Sequence, residues 1–189
     1  MTGIILFRAQ PFHNGHLAQI KRAYEDMKRF GGDLYVIVGS ADKSGTKRNP
    51  IPIDVRIDLI RNSINDNYEW VDASHIHVVP LDDLKDETNN THSWGTYLCD
   101  AMCRITGDID FIFYYSDKPE IALSWFNDAT RDYILFKFLP RVEDGIEATL
   151  VRKYLADYHA VSRYALKEML PPYVYSRLDE LHKYIINAK

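Results

Sequence analysis

This sequence predicts an α/β fold, a doubly wound parallel sheet followed by a helical tail. Three observations carry the prediction. Apolar runs at 3–8, 34–38, 75–79, 110–115 and 133–139 have strand length, and several are bounded by turn residues. The segments between them repeat apolar residues at helical spacing, as in Leu17, Ile20, Ala23, Tyr24 and Met27, so strands and helices alternate. From Ile146 onward the pattern is helical only. Strands joined by four helical crossovers describe a Rossmann-like core, nominally 1–145, with 146–189 as a C-terminal helical segment of the same domain.

The first strand, 3–8, is the continuous run Ile4-Ile5-Leu6-Phe7 ending at Arg8, and the helix predicted over 14–30 stops at Gly31-Gly32. Between them lies Arg8-Ala9-Gln10-Pro11-Phe12-His13-Asn14-Gly15-His16. A strand end followed by a helix start leaves unpaired backbone N–H groups and a positive dipole end facing the turn, which suits a phosphate. His13 and His16, three apart, project from nearly one face, and Gly15 has no side chain to obstruct a ligand. Had they stood alone, these histidines would read as ordinary polar residues in a turn.

The second strand, 34–38, closes at Gly39 and leads into a polar, turn-rich stretch from Ser40 to Pro52. Lys43, Lys47 and Arg48 fall just past that strand's C-terminal end, the edge where open α/β sheets bind ligands. For Lys43 and Lys47 a solvated loop is the alternative. The helix predicted from Pro52 to Asn65 sets Val55, Leu59, Ile60 and Ile64 on one side, with Arg56 either at the surface or in the site. The third strand, 75–79, sets His75 and His77 on one face; the pair has no third metal ligand at recognisable spacing, so no protein-held metal is expected.

An acidic and polar loop from Asp82 to Asn90, including Asp83, runs into Trp94, which repeats with Leu98, Cys99, Met102 and Cys103 at helical intervals. Trp94 is either a core anchor or, at the mouth of a strand-to-helix turn, a ring facing a ligand. The fourth strand opens into Ser116-Asp117-Lys118-Pro119, and a helix over 119–127 precedes the fifth strand. The tail begins with a helix carrying Thr149 and Arg152, followed by helices over 161–170 and 173–187 on either side of Pro171-Pro172.

A chain of 189 residues, 46% hydrophobic and 26% charged, suits one globular domain, long enough to bury roughly 70% of its unfolded surface. The net charge of -4 argues against a general nucleic-acid surface, so any anion site is local. Cys99 and Cys103 are spaced as helix neighbours and read as reduced structural thiols. Neither a basic leader nor an 18-residue apolar run is visible, so a cytoplasmic protein with no membrane partner is expected.

The string Arg8-Ala9-Gln10-Pro11-Phe12-His13-Asn14-Gly15-His16 resembles the H-x-G-H signature of the nucleotidyltransferase superfamily, and its flank resembles the archaeal-type nicotinamide-nucleotide adenylyltransferases. Gly39-Ser40-Ala41 with Arg48-Asn49-Pro50, the Ser116 turn and the Thr149-x-x-Arg152 spacing resemble further family elements. Ser44-Gly45, Ile51-Pro52, Val55 and Glu147-Ala148 depart from the family pattern. The resemblance implies ATP held by Arg8, Gln10, Phe12, His13, Gly15, His16, Arg48, Ser116, Thr149 and Arg152. It implies the mononucleotide held by Gly39, Ser40, Asp83 and Trp94, with His13, His16 and Arg152 catalytic. Mg²⁺ would arrive with ATP, and the subunits would form a homo-oligomer.

The expected reaction is adenylyl transfer from ATP to nicotinamide mononucleotide, giving NAD⁺ and pyrophosphate. The attacking phosphate is already anionic, so positioned donors matter more than a protein nucleophile. Two other readings stay open on the sequence alone. One is the same fold acting on another phosphorylated acceptor, such as phosphopantetheine, FMN or phosphocholine; the other is a nucleotide-sensing regulator without turnover.

Overall fold

The computed structural model describes residues 1–67, 72–85, 92–116, 119–141 and 145–189. In chain order the strands and helices are β1 (Thr2–Phe7), α1 (Asn14–Arg29), β2 (Asp33–Val38), α2 (Ile53–Asn65), β3 (Ile76–Pro80), α3 (His92–Thr106) and β4 (Phe111–Tyr115). They continue as α4 (Pro119–Ser124), α5 (Asp128–Arg131), β5 (Ile134–Phe138), α6 (Ala148–Asp157), α7 (Ala160–Met169), α8 (Pro172–Ser176) and α9 (Leu178–Asn187). The five strands form one sheet in the order β3-β2-β1-β4-β5, and every neighbouring pair is parallel. This is the predicted doubly wound, Rossmann-like arrangement.

Strand alternation divides the core in two. Ile5 and Phe7 of β1, Leu34, Val36 and Val38 of β2, and Ile112 and Tyr114 of β4 face a layer shared with α1, α2 and the tail helices. Ile4, Ile37, Phe111 and Phe113 face the other layer, against Leu98 and Met102 of α3 and the buried Phe126. Val151, Leu155, Leu166, Leu178 and Leu181 of the tail belong to the first layer, so the tail packs into the core that α1 and α2 build.

Three local expectations are corrected. The helix expected over 119–127 breaks at 125–127, because the Trp125 carbonyl turns to accept the Gly95 N–H (3.1 Å) and Asn127 caps α5 by accepting from the Thr130 N–H. A Cβ on Gly95 would lie 2.1 Å from that carbonyl, so only glycine allows this approach. The helix expected over 173–187 is broken at Arg177 into α8 and α9, where the guanidinium ties Asp58 of α2 (2.8 Å) to Glu180. His75 stands in a 3-10 turn rather than in β3. Both histidines nevertheless reach one carboxylate, His75 Nδ1 at 2.7 Å and His77 Nε2 at 3.2 Å from Asp33.

Candidate active site

The sheet order reverses direction between β1 and β4, the switch point where open α/β sheets form a crevice at their C-terminal ends. A cleft of about 540 Å³ lies there, lined by Phe7, Arg8, His13, Gly15 and His16 from the β1 side, by Ser116 after β4, and by Arg141 and Ile146–Ala148. Two helices begin at its wall. His13 is the N-cap of α1 and Glu147 that of α6, and neither provides a side-chain cap. The His16 N–H donates to the His13 carbonyl (2.9 Å); the positive ends of the two helices, with Arg8 and with Arg141, whose guanidinium lies 3.7 Å from the Glu147 carboxylate, make a cradle suited to phosphate oxygens.

The histidine pair forms the floor. Its rings stack with centroids 3.7 Å apart and 24° between planes, while Phe7 (4.7 Å) and Phe12 (5.6 Å) enclose His16 from other sides. Gly15 leaves room for this: a Cβ there would press within 3.1 Å of the His13 ring. Burial, then the nearby Arg141 charge, pulls His13 from its ordinary 6.5 to about 4. Burial, then His13 and Arg141, holds His16 well below its ordinary value. Both imidazoles are therefore neutral at pH 7, and both Nδ1 atoms are buried without a hydrogen-bond partner.

A pH dependence of stability follows. A histidine whose folded pKa is depressed favours the folded state fully above its unfolded value near 6.5, and that contribution disappears as pH falls through the folded value. For His13 the window is pH 6.5 down to about 4, and the loss is on the order of 3 kcal/mol. Urea unfolding of the parent and of His13→Gln over that window should show the variant losing less stability on acidification. Parallel curves would show that His13 is not the titrating group.

The start of the tail borders the cleft at Ile146, Glu147 and Ala148, while Thr149 and Arg152 lie outside its lining. Arg152 donates to the Gln10 carbonyl (2.7 Å) and to Thr149 Oγ1 (3.2 Å), which brings α6 onto the loop between β1 and α1. Arg8 and Ser116 line the cleft with the histidines and Gly15. Other sequence-predicted residues serve differently. The Gln10 amide is spent on Ile51, donating to its carbonyl (3.1 Å) and accepting from its N–H (2.9 Å). Phe12 is buried beneath His16, and Arg48 stands exposed on the loop after β2, outside the cleft lining.

Of the mononucleotide candidates, Gly39, Ser40 and Asp83 are brought together past the end of β2. Gly39 donates to the Phe7 carbonyl (2.8 Å), joining the ends of β2 and β1. Ser40, with a positive φ of 52°, donates to Asp83 (2.9 Å), whose other oxygen pairs with Lys43 at 2.9 Å. Burial pushes the Asp83 carboxyl up, but the bonds from Lys43 and Ser40 outweigh it and hold the pKa below the ordinary carboxylate value. Trp94 is half-buried against Trp125, centroids 4.8 Å apart. The acidic loop beyond Lys85 and the Asp117-Lys118 turn lie outside the described residues.

Arg141, Trp125 and the inward course of Arg56 were not singled out by sequence reasoning as parts of the site. Arg141 follows β5 at the ligand edge, and that position was its available signal. Arg56, expected at the surface or in the site, is fully buried beneath the loops and donates to the carbonyls of Arg8 (2.9 Å), Gly39 (2.8 Å) and Ser40 (2.9 Å).

Residues 8–154 match the cytidylyltransferase-like family. The nicotinamide-nucleotide adenylyltransferase of Methanocorpusculum labreanum is 34% identical over 180 residues, 95% of this chain and 91% of that protein. That of Haloarcula marismortui is 26% identical over 96% of this chain and 82% of its own. The match to the Saccharolobus solfataricus enzyme is 36% identical but covers 50% of this chain and 52% of that protein. The fold is also that of a Francisella tularensis bifunctional NMN adenylyltransferase/ADP ribose pyrophosphatase crystallised with AMP and Mn. The TM-score there is 0.74 at 15% identity, over 98% of this chain and 51% of that one. A Plasmodium falciparum nicotinic acid mononucleotide adenylyltransferase complexed with NaAD superposes with a TM-score of 0.63 at 15% identity, over 100% and 98%. The continuous match over the core and the end-to-end similarity to the Methanocorpusculum enzyme together show that this chain belongs to the cytidylyltransferase-like family and, within it, to the nicotinamide-nucleotide adenylyltransferases.

Proposed function

We propose that this cleft transfers the adenylyl group of ATP to the phosphate of nicotinamide mononucleotide, releasing pyrophosphate and forming NAD⁺. One observation carries the reading: two uncapped helix starts, a stacked pair of neutral histidines and the arginines Arg8 and Arg141 converge on one crevice at the switch point, with Arg152 tying α6 to the loop beside it. Names of the relatives and the nucleotides bound by the structural neighbours support it. In the transfer a phosphate oxygen of the mononucleotide attacks the α-phosphorus of ATP. The bond to the bridging oxygen breaks, and pyrophosphate leaves with that electron pair. His16 and His13, neutral and rigid, donate to the charge gathering on the α-phosphate, while Arg152 and the start of α6 hold the departing phosphates.

A divalent ion fits this site best as a companion of the triphosphate, because the lining has a single carboxylate, Glu147, which lies 3.7 Å from the Arg141 guanidinium, whereas Mg²⁺ draws most of its oxygen ligands from phosphates and water. Among the described residues no group of three His, Cys, Asp or Glu could hold a metal. Mg²⁺ on the triphosphate would neutralise phosphate charge during transfer. The deciding experiment incubates the pure protein with ATP, Mg²⁺ and a panel of phosphorylated acceptors and identifies products by mass. The panel includes nicotinamide and nicotinic acid mononucleotides, phosphopantetheine, FMN and phosphocholine. A dinucleotide formed from the pyridine mononucleotides is expected; product from another acceptor alone, or none, overturns the reading.

Among the described residues no helix is long and apolar enough to cross a membrane, and Cys99 and Cys103 are free thiols. A cytoplasmic homo-oligomer fits these features together with the exposed Leu135 and Phe138 on edge strand β5, and light scattering of the pure protein tests the assembly.

Trp94→Ala should raise the KM for the mononucleotide about five- to a hundred-fold and leave that for ATP nearly unchanged, since stacking on one base is worth roughly 1 to 3 kcal/mol. Because Trp94 also packs on Trp125, the variant's melting temperature is measured alongside; a large drop with normal mononucleotide kinetics makes Trp94 a packing residue only. Arg152→Ala should impair ATP use strongly and Arg152→Lys should restore part of it, because an ammonium keeps the charge but loses the planar fork that reaches Gln10 and Thr149 together. Normal ATP kinetics in Arg152→Ala would remove this residue from the phosphate site.

A further inference from the structure

The loop from Gly39 to Pro52 is gripped at both ends and supported in its middle by a segment from the far end of the chain. At its start Gly39 bonds to Phe7 and Arg56 holds the Gly39 and Ser40 carbonyls; near its end Ile51 is clasped by Gln10. The stretch from Ser44 to Arg48 is exposed, and around Gly45, at a φ of +71°, nothing lies within 4 Å of where a Cβ would be. Side-chain packing therefore does little to fix it. Within the loop Thr46 bonds to Asn49 through backbone and hydroxyl. Ala41 donates to the Leu81 carbonyl (3.0 Å), and the long-range backbone bonds of residues 44–48 are made with Lys189, whose N–H donates to the Gly45 carbonyl (3.0 Å) and whose carbonyl accepts from the Lys47 N–H (3.1 Å). These two bonds flank Thr46 as in a one-residue β-bridge.

Helix α9 ends at Asn187, Ala188 continues in an extended conformation (φ -69°, ψ 132°), and α9 is anchored by the buried Leu178 and Leu181 and by the Arg177 pair with Asp58 of α2. We propose that residues 188–189 are a positioning strap: their main chain presets the 44–48 loop so that Arg48, two residues past the bridge, is presented to the triphosphate with little ordering left to do on binding. This rests on the reading of Arg48 as an ATP contact. Preordering a binding loop improves ligand affinity by removing an entropic cost, and should leave the chemical step alone.

The test replaces the donor without shortening the chain. Lys189→Pro deletes the N–H, and the extended Ala188 tolerates a following proline; Lys189→Ala keeps the main-chain bonds and serves as the control. In Lys189→Pro, and in a deletion of residues 188–189, tryptic cleavage after Lys43, Lys47 and Arg48 should quicken about fivefold or more at an unchanged melting temperature. The KM for ATP should rise about three- to tenfold, with kcat and the mononucleotide KM within about twofold. Lys189→Ala should match the parent. Arg48→Ala alone should raise the ATP KM, and adding Lys189→Pro to it should raise it no further. Unchanged cleavage in Lys189→Pro would overturn the strap. Faster cleavage with an unchanged ATP KM would also overturn the proposal. The Arg48→Ala protein then separates the causes: a normal ATP KM there means the Arg48 reading has failed, and a raised one means that the strap does not act through it.

Discussion

His16→Ala is expected to turn over about 10² to 10³ times more slowly than the parent, with kcat and kcat/KM falling together and ATP affinity changing much less. The expectation rests on geometry. His16 is enclosed by His13 at 3.7 Å and by the rings of Phe7 and Phe12, so its imidazole cannot turn away, and it meets the cleft already oriented. Burial and its neighbours keep it neutral, so it contributes a directed hydrogen bond rather than a full charge. A bond of that kind strengthens as negative charge develops on the α-phosphate, which is the condition for lowering a barrier rather than merely binding substrate. Steady-state kinetics together with calorimetric ATP binding distinguish the roles. Parental kcat with weakened ATP binding would leave His16 a passive phosphate anchor. A matching melting temperature confirms that the smaller side chain beside Phe7 and Phe12 has not simply unfolded the site.

The sheet was legible because strands buried on both faces announce themselves as apolar runs, and each was followed by a segment of helical period. The cradle was legible for a related reason: a strand end, a turn and a helix start are contiguous in sequence, so the order of residues alone puts His13, Gly15 and His16 on one wall. What stayed hidden depends on partners distant along the chain. The break at 125–127 exists because the Trp125 carbonyl meets the N–H of Gly95, thirty positions earlier, and periodicity reports only the face a helix buries. Gln10 sits in the signature string, yet its amide faces Ile51, because the loop after β2 needed its backbone groups satisfied. Arg141 joins the cleft through the end of β5, a position that strand boundaries could have suggested but that no motif marks.

Arg56→Met should cost roughly 3 to 5 kcal/mol of folding stability, measured by urea unfolding at pH 7. A buried cation is usually a doubtful source of stability, and here burial lowers the Arg56 pKa to about 10, with the charge of Asp83 acting in the opposite direction. The group remains charged at neutral pH, and its Nε has no partner. Its value lies in what it satisfies. The chain leaves the sheet just past β1 and β2, so the carbonyls of Arg8, Gly39 and Ser40 have no neighbouring strand N–H to donate to them, and that of Ser40 accepts from the Lys43 N–H as well (3.2 Å). One planar guanidinium reaches all three at 2.8 to 2.9 Å. Methionine fills a similar volume, but it takes the guanidinium donor from the Arg8 and Gly39 carbonyls, an unpaired acceptor costing about 1 to 3 kcal/mol on its own, while the Ser40 carbonyl keeps the Lys43 N–H (3.2 Å). Lysine keeps the charge but lacks the fork, so Arg56→Lys should fall between. Since Ser40 also carries the bond to Asp83, the loosened loop should raise the mononucleotide KM before that of ATP. A loss below about 1 kcal/mol in Arg56→Met would mean that desolvating the guanidinium cancels its three bonds, and the clamp would then fix loop geometry without stabilising the fold.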